Sequence, residues 1–376
     1  MSFSALRGLK KKEEKTSNRI FKDTIVVGDD IFSLALFYQL KTKFGADKVF
    51  LLSERDLDDS SLILDGPSTL RGEANISLFK TYFPEMTKNI NSGAEFFKDL
   101  KFKKFDGRSK SEKLLWGEEF FTQDHLEINE TEVFPYLKDP KFLEELNSCH
   151  LKNRLTQIHS YSEDDANWEL HCSSGESYCV ENLYWGLGPK EFLNLYSDKA
   201  ELSNEFIQFC DGAGTHLSLI IKFIFEKPIT DKEETIFIPL SYTHEWGHFV
   251  GEFKSGSLQS AQFLAFVDKD HTSEEEVSKK IRILKKNLEK IFPEFKGSSY
   301  KEYVCLTPKS PCQNIDDSCF PKEEFSSKGL FFFGVNAPLQ EEKIKTDNFA
   351  YDASNVSHFM RGFVTHQEIL KSILIS

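Results

Sequence analysis

Apolar residues in this chain change their period several times, and each change marks a new element. Thr24 to Val27 is a short, β-branched apolar run ended by Gly28, the pattern of a buried parallel strand. Ile31, Leu34, Phe37, Tyr38 and Leu40 then recur at helical spacing to about Lys43. Val49-Phe-Leu-Leu52 is a second apolar run, bounded by Ser53 and Glu54. Together these predict a βαβ unit of about 30 residues. Its right-handed crossover places the first turn at the C-terminal edge of the parallel strands, where open α/β sheets bind ligands.

Between residues 70 and 148 the pattern reads mostly as helices and loops, with apolar clusters at Ala94-Glu-Phe-Phe97 and Phe142-Leu-Glu-Glu-Leu146. A meander follows, with strands at 154–159, at 168–172 and through Asn182-Leu-Tyr-Trp-Gly186, and a Ser-Ser-Gly turn at 173–175. A long strand at 216–226 and further strands at 235–240, 246–253 and 258–267 predict an antiparallel sheet. Ser273 to Phe292 is an amphipathic helix opened by a Ser273/Glu276 capping box, with Val277, Ile281, Leu284, Leu288 and Ile291 on one face. Gly329-Leu-Phe-Phe-Phe-Gly334 is a last buried strand, and a closing helix covers about Ser354 to Leu374. The order predicts an α/β fold. A discontinuous Rossmann-like domain (23–75, 150–200 and 325–376) is interrupted by a substrate-type domain of antiparallel sheet plus helix (76–149 and 201–324). Residues 1–22 are basic and polar and read as a flexible arm.

Charge narrows the partners. Lys plus Arg total 47 against 60 Asp plus Glu, and the net charge of -13 repels nucleic acid and anionic membrane surfaces. No apolar stretch is long enough to span a membrane, and the N-terminus lacks the apolar core of an export signal. Seven widely spread cysteines in such a chain fit a reducing cytoplasm, and Cys305, Cys312 and Cys319 lack the close pair typical of structural zinc. The 36 phenylalanines predict a Phe-rich core.

Four stretches, in order along the chain, resemble the superfamily of flavin-dependent amine oxidases and protoporphyrinogen oxidases. Ile25-Val-Val-Gly28 through Ala35-Leu36 resembles its opening fingerprint, and Leu51-Leu-Ser-Glu-Arg-Asp56 the end of its second strand. Trp168 to Leu195, containing Gly186-Leu-Gly188, is similar to the family's meander and the small-residue turn after it. Gly329 to Asn336, with Met360-Arg-Gly362, resembles the closing flavin motif. The resemblance implies an FAD/NAD(P)-binding fold in two domains. It also implies a cofactor site drawn from Gly28, Asp29, Asp30, Ser33, Ser53, Glu54, Gly186, Gly188, Gly334, Val335 and Asn336, with Lys309 as a candidate flavin-side lysine.

The chemistry at those positions departs from the pattern. Where G-x-G-x-x-G is expected the chain reads Gly28-Asp-Asp-Ile-Phe-Ser33. The second glycine normally lets backbone approach a pyrophosphate, and Asp30 stands there instead. Like charges about 4 Å apart repel by roughly 1 kcal/mol in water and by several kcal/mol at a partly buried site. An aspartate there can alternatively cap the helix that follows. Ser53 occupies the position of the ribose-binding acid, with Glu54 beside it, and Val335 follows the strand glycine of the closing motif, with Asn336 next.

His244-Glu-Trp-Gly-His248 matches the H-E-x-x-H zinc pattern, which needs both histidines on one helix face. Gly247 and Gly251 disfavour a helix, and on the strand that the pattern predicts the histidines lie about 13 Å apart. His244, Glu245 and His248 are therefore read as a false metal match. Asp211-Gly-Ala-Gly214 lacks the preceding strand that a phosphate loop needs.

Three functions remain at this stage. One is a pseudoenzyme of the flavoprotein fold, without normal FAD binding, that acts by binding a small molecule or a protein. The second is a working FAD-dependent oxidoreductase acting on an amine or similar reduced substrate. The third is a zinc hydrolase.

Overall fold

The computed structural model describes residues 18–57, 70–71, 73–85, 89–90, 94–98, 100–104, 125–126, 133–162, 166–212, 217–239, 248–267, 271–307, 320–339, 343–345, 350–352 and 358–375. In chain order β1 (Asn18–Val27), α1 (Ile31–Phe44), β2 (Val49–Ser53), β3 (Leu70–Arg71), α2 (Glu73–Tyr82), β4 (Asn89–Ile90), β5 (Ala94–Lys98), β6 (Lys101–Lys104) and β7 (His125–Leu126) come first. Next are α3 (Pro140–Cys149), β8 (His150–Lys152), β9 (Leu155–Ser160), β10 (Trp168–Cys172), β11 (Glu176–Trp185), α4 (Pro189–Leu195) and α5 (Asn204–Gly212). Then follow β12 (Leu217–Phe225), β13 (Thr235–Pro239), β14 (His248–Lys254), β15 (Gln259–Val267), α6 (Glu274–Ile291), β16 (Tyr300–Thr307), α7 (Lys322–Ser326), β17 (Leu330–Phe332), β18 (Lys343–Lys345), β19 (Ala350–Asp352) and α8 (His358–Ile375).

The first sheet runs β8-β2-β1-β11-β10-β9, and β17 also pairs with β11. β8, β2, β1, β11 and β17 pair in parallel, whereas β9, β10 and β11 form the expected antiparallel meander. Its strands come from three separate stretches of the chain, and both faces are covered. On one face α1, α2, α3 and α8 contribute to a core with Val26, Leu51 and Tyr184. On the other, Ile25, Val27, Leu183 and Trp185 pack with Phe192 of α4, Phe206 of α5 and Phe325 of α7. Helix α1 is buried nearly all round over its first two turns, from Ile31 to Phe37, which explains a composition with almost no polar face.

The second sheet runs β16-β12-β15-β14-β13-β5-β6 and is antiparallel except for the β13–β5 pair. Leu219, Ile221, Phe223 and Phe225 on one face pack against Leu284 and Leu288 of α6. Ser273 caps α6 as expected, its hydroxyl accepting from the Glu276 N–H at 3.4 Å. Short strands make two minor sheets, β3-β7-β4 and β18-β19. No helix among the described residues is long and apolar enough to cross a membrane.

Three expectations change. Residues 18–22, assigned to an arm, are the first half of β1, because Asn18 to Lys22 find backbone partners in Glu176 to Val180 of β11. Ala94-Glu-Phe-Phe97 lies in strand β5 rather than a helix. Its short aromatic run is satisfied by pairing with β13 and β6, and the Phe97 and Phe102 rings meet at 5.2 Å. Within the stretch assigned to the substrate-type domain, α2, α3 and α5 supply Phe79, Phe142 and Phe206 to the cores of the first sheet.

The core contact of α8 carries a pH dependence. His366 is completely buried, its ring edge-on to Phe134 with centroids 5.6 Å apart. Nδ1 lies 3.3 Å from the Gln367 amide nitrogen, and Nε2 has no partner among the described residues. Burial pushes its pKa down to about 3, against the pull of Asp30 in the other direction. The unfolded chain therefore takes up the proton first, and stability present above pH 6.5 is lost as pH falls toward 3, on the order of 5 kcal/mol in all. Equilibrium denaturation of His366→Phe beside the wild type checks this. The stability advantage of the wild type should shrink steadily between pH 6.5 and 4, and two parallel pH curves would contradict it.

Candidate functional site

The turn after β1 opens the site. Gly28 has φ 144°, a value that favours glycine, and a Cβ there would lie 2.3 Å from Ser33 Oγ. Asp30 is the N-cap of α1 and is 2% exposed. Its Oδ1 accepts from the Ser33 N–H at 2.7 Å and from the Ser33 hydroxyl at 2.5 Å. The two residues that replace the second and third glycines thus bond to each other. The capping alternative drawn from the sequence is the one this geometry forms.

The other candidate positions converge on the same edge. Gly186, just beyond β11, is so close that a Cβ would meet Ser33 Oγ at 2.7 Å, Phe333 at 2.9 Å and the Val27 carbonyl at 2.9 Å. Gly334, beyond β17, faces the Gly186 carbonyl, and a Cβ on it would lie 3.7 Å from Asp30 Oδ2. Its N–H donates to the Thr365 hydroxyl of α8 at 3.1 Å. Gly188 is closed by Asn336, whose Cβ would lie 2.8 Å from an added Cβ. Asn336 Oδ1 is buried with no hydrogen-bond partner among the described residues. Val335 packs into the first-sheet core.

The end of β2 is likewise engaged internally. Ser53 Oγ lies 2.8 Å from His150 Nε2 of the neighbouring strand β8. Burial holds the pKa of His150 below the ordinary histidine value, which favours a neutral ring at that contact. Glu54 is exposed. Arg55, a cation that could meet a phosphate, donates to the Asp29 carbonyl at 2.6 Å and lies 3.6 Å from its carboxylate. The strand-edge position of this site is that of a nucleotide cleft; there Asp30 is bonded to Ser33, Ser53 meets His150 and Arg55 is bonded to Asp29, while Asn336 Oδ1 is buried without a partner among the described residues.

Of the zinc match only His248 lies among the described residues. His248 is in β14, opposite Pro239, while His244 and Glu245 lie outside the described residues, as does Lys309. Among the described residues no group of three or more His, Cys, Asp or Glu side chains is arranged to hold a metal ion.

Sequence inspection missed a second constellation. On β12 the α6-facing residues are odd-numbered, so Ser218, Ile220 and Lys222 point to the opposite face. Lys222 pairs across the ladders with Tyr303 of β16 and Gln262 of β15, and Gln262 pairs with Glu252 of β14. The Thr235 hydroxyl of β13 donates to Glu252 Oε1 at 2.8 Å. This lateral polar row crosses five strands, and Lys222, Gln262, Glu252 and Thr235 are each buried. The signal was present: Lys222 interrupts an otherwise apolar Leu219-Ile-Ile-Lys-Phe-Ile-Phe225, and Glu252 and Gln262 interrupt the next strands at the same alternation.

A polar cleft of about 480 Å³ lies elsewhere, over the start of β1 and the β9–β10 hairpin. Its ionic groups are internally matched. Arg19 Nε donates to Glu169 at 3.0 Å, His171 Nδ1 lies 2.9 Å from Ser177 Oγ, and His159 Nδ1 lies 3.5 Å from Asp198.

Neither a family model nor a curated protein matches this sequence. Solved structures do resemble the fold. A protein assigned as a protoporphyrinogen oxidase from Exiguobacterium is 12% identical, with a TM-score of 0.52 over 94% of this chain and 99% of its own. An oxidoreductase from Methanosarcina mazei (10% identity, TM-score 0.48, 94% and 100% coverage) and a putrescine oxidase bound to putrescine (11%, 0.48, 95% and 100%) are also similar. At such identity the likeness concerns the fold, and the first of these structures carries it. The chain has the mixed α/β fold of that structure, with one mainly parallel and one mainly antiparallel sheet.

Proposed function

We propose that this chain is a pseudoenzyme of the FAD-dependent oxidoreductase fold, which acts by binding a ligand rather than by redox catalysis. The observation that carries this is the Asp30 carboxylate bonded to Ser33 at the N-terminus of α1, where a dinucleotide phosphate would approach. The residues present do not fit FAD. Asp30 would face the pyrophosphate with like charge, Ser53 with its His150 contact offers no carboxylate to a ribose, and Val335 is turned into the core.

The polar row of the second sheet supports the choice of ligand site. A buried ammonium, carboxamide, carboxylate and hydroxyl lie in line on one face of this sheet, a chemistry matched to a small polar ligand. A second function, a working FAD-dependent oxidoreductase, draws support from the convergence of Gly28, Gly186 and Gly334 at the strand edge. A partition of the chain into a cofactor-type and a substrate-type domain underlies both.

Two measurements test the proposal. The purified full chain should lack flavin absorption and release no flavin by mass, and it should remain so after incubation with FAD and desalting. Stoichiometric flavin would reverse the order of the two functions. A small polar molecule found to stabilise the protein in a thermal-shift screen should lose at least about tenfold in affinity on Lys222→Met. Unchanged affinity would remove the polar row from the account.

A further inference from the structure

We infer that the Asp30 carboxylate is the chain's own substitute for a cofactor pyrophosphate, an internal anion that closes the N-terminus of α1. The inference rests on the proposal that FAD is not held in the usual way, and it identifies the group responsible.

A helix N-terminus presents N–H groups without intrahelical partners and the positive end of the helix dipole, so a buried one needs an anion or a capping acceptor. Dinucleotide folds meet that need with a phosphate. Here it is met from within. Asp30 Oδ1 takes the Ser33 N–H at 2.7 Å and the Ser33 hydroxyl at 2.5 Å, and the residue is 2% exposed.

The surroundings leave the carboxylate no alternative role as a solvated surface charge. The turn after β17 lies nearby, where a Cβ on Gly334 would be 3.7 Å from Asp30 Oδ2, and Ser33 Oγ fills the space over Gly28 and Gly186. Arg55, which could have offset a bound phosphate, is turned onto Asp29. The two departures from the glycine pattern therefore form one hydrogen-bonded unit. A loss of glycines by unrelated drift would have no reason to supply an acceptor at one position and a matching donor at the other.

The test uses inorganic pyrophosphate on the full chain, read by thermal unfolding and by calorimetric titration, with sodium chloride matched for ionic strength. Pyrophosphate should leave the wild type unchanged. Asp30→Gly should unfold at a lower temperature and recover saturably with pyrophosphate. Asp30→Ser keeps a capping hydroxyl and removes the charge, so it provides a folded protein even where the glycine variant fails to fold. It should bind pyrophosphate at least tenfold more tightly than the wild type. The inference is overturned if Asp30→Ser binds no more tightly, or if pyrophosphate stabilises the wild type as much as the variants. A colourless wild type with unresponsive variants would sink this inference alone, whereas stoichiometric flavin in the wild type would sink the proposed function as well.

Discussion

The hydrogen bonds from Ser33 to the Asp30 carboxylate set the terms for the whole C-terminal edge of the first sheet. Helix α1 begins there because Asp30 supplies the cap, and the helix is then buried between the sheet, α8 and the segment around Phe134. The turns after β11 and β17 close at this edge with glycines, Gly186 against Ser33, Phe333 and the Val27 carbonyl, and Gly334, at φ 90°, against the Gly186 carbonyl. Gly186 and Gly334 serve that packing in this chain. Gly28, Gly186 and Gly334 lie against neighbouring backbone and the Ser33 side chain.

Fold and site consequently give different information about this molecule. Parallel strands, a crossover helix and a second, mainly antiparallel sheet match the fold of the Exiguobacterium structure. Function resides in the side chains mounted on that architecture. At the strand edge Asp30 engages Ser33 and Ser53 meets His150. On the second sheet, Lys222, Gln262 and Glu252 form a buried polar row across β12, β15 and β14.

Much of the architecture was legible because it rests on strong local periodicity. The β1–α1–β2 unit, the β9–β11 meander, the long strand β12 and the capped helix α6 all follow from alternating or helical apolar spacing and from turn or cap residues. Asp30 as a helix cap was legible for the same reason, since capping is local chemistry. What escaped was non-local. Residues 18–22 look like a polar arm until β11 pairs with them, and Ala94-Glu-Phe-Phe97 is too short a run to separate strand from helix without its partners β13 and β6. The polar row escaped because each member lies on a different strand, and only the register brings Tyr303, Lys222, Gln262 and Glu252 into line. Ser53 was seen as a missing acid, but its His150 contact depends on the parallel pairing of β2 with β8.

The central claim concerns what occupies the N-terminus of α1, and a crystal structure of the full chain grown in the presence of FAD addresses it most directly. The account predicts that Asp30 Oδ1 remains on the Ser33 N–H and hydroxyl, with no dinucleotide at the strand edge. Density for a pyrophosphate seated on the first turn of α1, with Asp30 swung away from Ser33, would contradict it.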